Sequence, residues 1–123
     1  MVEAFKKAGL KVTFHSHGNI MPLFQDLVEV GFDSIDPLDS YDGMDFPALK
    51  KEFGEAVTLK GGISCTIGQM NKEELKEHIG EAVKIGGDRR FILSGAGGVP
   101  PEMTLENFNH YRELIYKARR SEL

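Results

Sequence analysis

The sequence predicts an α/β fold made of four consecutive β-strand/α-helix units in a single domain, residues 1–123. Three observations predict it. Short segments rich in β-branched and aromatic residues alternate with segments whose apolar residues recur at helical spacing. Glycine stands where most of the helical segments should stop. The repeat is about 30 residues long, as in a (β/α)8 barrel of about 250 residues. Half of such a barrel and a small doubly wound sheet are both built from these units, and periodicity does not separate them.

The elements follow in order. Residues 2–8 read as a short helix closed by Gly9, and residues 11–14 as the first strand. Ile20, Leu23, Phe24, Leu27 and Val28 form one stripe of a helix over 20–30, with Gly31 as its stop. Residues 33–36 form the second strand, ended by Pro37. Phe46, Leu49 and Phe53 place a helix over 45–53, stopped by Gly54. Residues 56–59 are the third strand, running into Gly61 and Gly62. Asn71 and Glu74 have capping-box spacing, and Leu75, Ile79, Ala82 and Val83 form the stripe of the helix they open. Residues 90–93 are the fourth strand, followed by a glycine- and proline-rich loop from Gly95 to Pro101. Thr104 caps a last helix carrying Leu105, Phe108, Tyr111, Ile115 and Ala118. Strands separated by helices are expected to be parallel, with right-handed crossovers. No G-x-G-x-x-G fingerprint follows the first strand, which counts against a doubly wound nucleotide-binding fold.

Composition excludes several classes of function. With 41% hydrophobic and 28% charged residues and a net charge of −4, the chain reads as an ordinary soluble protein. Its basic residues are scattered, so no nucleic-acid partner is expected. No apolar run approaches membrane-spanning length, and no helix is basic and amphipathic, so no membrane partner is expected. The first residues lack an apolar signal segment, and Cys65 is the lone cysteine. Both fit a cytoplasmic protein.

In both architectures ligands bind at the C-terminal ends of the strands. That rule selects His15, Ser16, His17 and Asn19, then Asp36 and Asp39, then Ser64 and Cys65, then Ser94 and the loop to Gly98. His15 and His17 are two residues apart, so a continuing strand points both imidazoles the same way. They suit one cation such as zinc, with Asp36 or Cys65 as a further donor, or else they bond to loops or substrate directly. Asp36 ends a strand and is read as a catalytic carboxylate or as a turn cap, and His15 as a catalytic residue as well. Asp39 reads as a second acid/base carboxylate or as a turn cap, and Tyr41 and Met44 as pocket lining or as packing beneath the same loop. Gly61, Gly62, Gly97 and Gly98 bring backbone close to a ligand or simply make tight turns. Cys65 reads as an inert thiol.

Phe14-His15-Ser16-His17-Gly18-Asn19-Ile20 resembles the H-x-C-G-N segment of the uroporphyrinogen decarboxylase family. That family includes cobamide-dependent methyltransferases that use zinc to activate a thiol. The similarity continues through Gly31-Phe32-Asp33, from Asp45 to Gly54, through Gly61-Gly62-Ile63, and through Val99-Pro100-Pro101-Glu102 to Glu106-Asn107. The resemblance implies the C-terminal half of a (β/α)8 barrel rather than a doubly wound sheet. It implies metal ligands at His15, His17 and Ser94, where the zinc enzymes carry histidine and two cysteines. It also implies a corrinoid carried by a partner protein. The decarboxylases have a histidine before the last helix where this chain has Gly98. Their substrate-binding arginines and central aspartate belong to the N-terminal half.

Three functions follow as expectations. The first is methyl transfer to a metal-activated thiol through His15 and His17. The second is decarboxylase-like binding of an anionic small molecule, with Asn19, Ser64, Gly97 and Gly98 as binding residues. The third is a non-catalytic barrel half. In each, a homo-oligomer or a complementary N-terminal half is expected to complete the barrel, because four strands leave two open edges.

Overall fold

The structure, a computed structural model, describes residues 1–123. It contains α1 (Val2–Lys7), β1 (Thr13–His15), α2 (Phe24–Val30), β2 (Ser34–Asp36), α3 (Phe46–Phe53), β3 (Thr58–Ile63), α4 (Lys72–Gly86), β4 (Phe91–Gly95) and α5 (Leu105–Arg119). The strands form one parallel sheet in the order β1-β2-β3-β4. A sheet whose order never reverses has no topological switch point, so the doubly wound alternative is excluded. The chain is an α/β fold with the topology of half a (β/α)8 barrel.

The helix signals worked as their chemistry requires. Asn71 Oδ1 accepts the amides of Glu73 and Glu74, and Glu74 returns a carboxylate oxygen to the Asn71 amide at 2.8 Å. Thr104 and Asp45 cap α5 and α3 more simply, each accepting one backbone amide, from Asn107 and Ala48. Gly31 ends α2 at φ 91°, a conformation an L side chain resists.

The strands differ more. β1, β3 and β4 all lie further along the chain than propensity suggests. As a result Gly61 and Gly62 lie inside β3, and Ser94 lies inside β4, rather than beyond them. The two glycines are there for packing. A Cβ on Gly61 would strike the Leu38 backbone, and one on Gly62 would press on Ala82, Phe46 and Phe91. They continue the strand and are not a turn. The stretch read as one helix over 20–30 begins instead as a 3-10 turn, Met21–Leu23, with Pro22 in its first turn.

All the core lies on one face of the sheet. Phe14, Ile35, Leu59 and Phe91 are paired in register across the four strands and pack against the helices. Phe24, Leu49 and Phe53 meet them from α2 and α3, while Ile63 and Leu93 meet Leu75, Ile79 and Leu114 from α4 and α5. The alternate strand residues face the other way. They are Thr13 and His15, Ser34 and Asp36, Thr58 and Lys60, Ile92 and Ser94, and none belongs to a core cluster.

Candidate functional site

The residues selected from the sequence fall into two groups at the C-terminal ends of the strands. The first group spans β1 to β3. His15 is paired in register with Asp36, and Lys60 occupies the next place on β3. Lys60 Nζ donates to Asp36 Oδ2 at 2.8 Å, and His15 Nδ1 lies 3.3 Å from the same oxygen. The Asp36 side chain is only 10% exposed, against 60% for His15 and 36% for Lys60. Its other oxygen, Oδ1, is buried without a partner. Sequence reasoning missed Lys60 because the predicted third strand stopped at Leu59. The signal was its place one residue before a glycine pair and two residues after Thr58, on the polar face.

His17 lies beside this row. Its ring centroid is 5.5 Å from that of His15, with the planes at 82°. Its Nδ1 is 3.2 Å from Asp42 Oδ2, in a 3-10 turn Ser40–Asp42 that Asp39 caps. Thus each imidazole has its own carboxylate on Nδ1. Asn19 has a local role as well. Its Oδ1 accepts the Met21 amide, and its amide group packs beside Gly43.

The second group closes a cleft of about 140 Å³ between the ends of β3 and β4. Ser64, Cys65, Ser94, Gly97 and Gly98 all line it, with Ile67, Val99 and Tyr111. The amides of Gly97 and Gly98 donate to no backbone oxygen. Ser94 Oγ donates to the Gly95 carbonyl at 3.2 Å. One wall of the cleft is the 3-10 turn Cys65–Gln69, opened by Ser64 Oγ accepting the Thr66 amide.

Asp39 joins that wall to the β2 loop and is 1% exposed. Its carboxylate accepts the amides of Tyr41 and Cys65 at 3.0 and 2.9 Å. Burial pushes the Asp39 carboxyl up, but these amides and the Cys65 thiol outweigh burial and hold it below the usual carboxylate value of 3.8. The same contact raises the Cys65 thiol, with burial adding to it. Cys65 is therefore a protonated thiol at neutral pH, in keeping with its reading as inert.

The structure does not bring Ser94 to the histidines. β1 and β4 are the opposite edges of the sheet, three inter-strand spacings of about 4.8 Å apart. No group of three or more His, Cys, Asp or Glu is arranged to hold a metal ion.

Parallel β/α units in sequential order, with ionisable residues gathered at the strand C-termini, agree with a further finding: the family model for uroporphyrinogen decarboxylase (URO-D) matches residues 1–118. The chain belongs to the URO-D family. No curated protein matches it. For a URO-D-family chain the match accounts for every strand and nearly all of α5, so both groups of site residues lie within the matched span. No helix is long and apolar enough to cross a membrane.

Proposed function

We propose that this URO-D-family chain binds a carboxylate-bearing small molecule across the C-terminal ends of its strands, as one wall of a lyase-type acid/base site. The observation that carries this reading is the row His15–Asp36–Lys60, three ionisable groups from adjacent strands meeting at one carboxylate oxygen. Lys60 supplies a cation at the mouth. His15 supplies an imidazole whose Nδ1 faces Asp36, leaving Nε2 to exchange a proton with a bound ligand. The free amides of Gly97 and Gly98, with the hydroxyls of Ser64 and Ser94, supply neutral donors suited to a carboxylate. Asn19 supports the His17 loop through Met21.

The test is titration of the ¹⁵N-labelled chain with citrate. Shifts should appear at Lys60, Gly97 and Gly98, and Lys60→Gln should weaken binding by about threefold or more. Absence of shifts at these residues at tens of millimolar citrate overturns the reading.

A second reading, methyl transfer to a metal-activated thiol with a corrinoid protein as donor, is favoured by the paired imidazoles. His15 and His17 each face a carboxylate with Nδ1, the arrangement that commonly orients a metal-binding histidine. The donor set fits a two-histidine contact with zinc. It does not place a thiol beside the histidines, since Cys65 lines the β3/β4 cleft and Ser94 offers a hydroxyl on the far edge strand. Bound zinc would supply Lewis acidity. Stoichiometric zinc lost on His15→Ala supports this reading, and no metal at near-neutral pH removes it.

We propose also that a second copy or a complementary barrel half pairs with the free edges of β1 and β4. A well-folded monomer at micromolar concentration in sedimentation removes that part.

A further inference from the structure

His78 belongs to α4 and takes no part in either group of site residues, yet it holds one of them in place. Its Nε2 accepts the backbone amide of Ser64 at 2.9 Å, across 14 residues of sequence. Ser64 is the last residue before the 3-10 turn Cys65–Gln69, and it is buried. An Nε2 that accepts a hydrogen bond carries no proton, so the imidazole is neutral with its proton on Nδ1. Protonation converts that acceptor into a donor aimed at another donor. The Ser64 amide then loses its partner in a place where water does not easily replace it.

We propose that His78 is a positioning residue, a proton-sensitive latch that fixes the Ser64–Cys65 wall of the β3/β4 cleft only while its imidazole is neutral. The groups around it set the direction of the switch. Glu74, Glu77 and Glu81 line the same surface hollow on α4, with Thr66, Gln69 and Met70 facing them from the turn. Ser40, Met44, Phe46 and Pro47 approach from the β2 loop and the start of α3 and bring no charge. Asp39 is the remaining carboxylate. Burial lowers the His78 pKa from 6.5, and Glu81 and Asp39 oppose it without cancelling it. The latch is therefore closed at neutral pH and opens at a pH below 6.5. The proposal uses the cleft reading only for its consequence, since the latch is observable without any ligand.

The experiment is amide hydrogen exchange and ¹⁵N–¹H spectroscopy of the full chain from pH 8 to pH 5, with the His78 ring followed by its own carbon-bound protons. Exchange is corrected for its intrinsic pH dependence. Protection of the Ser64 amide should fall with the same midpoint as the His78 titration, below 6.5, while the amides of Leu75 and Ile79 keep theirs. His78→Gln retains an acceptor that does not titrate, so Ser64 protection should become flat across this range. Protection of Ser64 that is unchanged through the His78 titration overturns the proposal. So does a His78→Gln chain with the same pH-dependent loss as the native one. If His78→Gln fails to fold, the native titration alone decides. Failure of citrate to bind leaves the latch result unaffected, so the two readings fail separately.

Discussion

Lys60→Met isolates the ion pair at the centre of the site. The substitution keeps the aliphatic stem and removes the ammonium 2.8 Å from Asp36 Oδ2. The gross attraction at that distance is about 6 kcal/mol for an effective dielectric of ~20. Most of this is offset by desolvation of the pair. Breaking a buried pair by removing one partner costs about 3–5 kcal/mol. Here the Asp36 side chain is 10% exposed but that of Lys60 is 36% exposed, so solvent screens the pair and we expect about 2 kcal/mol. That corresponds to a melting temperature lower by roughly 6–12 °C for a chain of this size. After the substitution the carboxylate has only His15 beside it, and Oδ1 already has no partner. Removing the stranded charge should therefore restore stability: Asp36→Asn combined with Lys60→Met should recover at least half of the loss. The assay is urea unfolding followed by circular dichroism, as a double-mutant cycle. A Lys60→Met chain as stable as the native one, or a double variant no better than Lys60→Met, refutes the reasoning.

Three further outcomes are expected. Asn71→Ala removes both amide contacts at the start of α4 and should cost about 1 kcal/mol, read by the same unfolding assay. Gly86→Ala places a methyl group inside the Phe91 ring, which is stacked on Phe46, and should destabilise by about 1–3 kcal/mol despite the better helix propensity of alanine. A gain in stability there would mean that Phe91 moves freely. Asp39, held below 3.8, contributes stability that is complete above that pH and lost as pH falls through its lower folded value. The stability difference between the native chain and Asp39→Asn should therefore shrink as pH is lowered below about 3.8 in acid-unfolding curves.

The parts of the fold legible in the sequence are those set by local chemistry. The capping box at Asn71, the cap at Thr104 and the stop at Gly31 involve neighbours within four residues, and each forms as spacing dictates. Strand ends were harder, because pairing decides them. β3 runs on through Gly61 and Gly62 since β4 pairs with it as far as Ile63↔Gly95, although glycine is a poor strand residue. That extension carries Lys60 into the site row, so the missed strand end and the missed site residue are one error. The roles of Asp39 and His78 were hidden for a different reason. Their partners, Cys65 and Ser64, lie 26 and 14 residues away, and only the sheet brings them together.

The uncovered face of the sheet bears on what the site can be. A closed (β/α)8 barrel fills its interior mainly with branched apolar side chains. In this chain the corresponding face carries Thr13, Ser34 and Thr58 in register, with His15, Asp36 and Lys60 above them, and Ile92 is its one large apolar residue. Thr13 and Ser34 hydroxyls already bond to each other at 2.6 Å. An apolar surface closing on this face would leave one hydroxyl hydrogen of that pair without an acceptor and bury the Asp36–Lys60 pair still further, at a cost of several kcal/mol. Water or polar groups meet the same face without that penalty. A surface that closes on this face therefore avoids that cost only where it brings polar groups or water to Thr13, Ser34, Asp36 and Lys60.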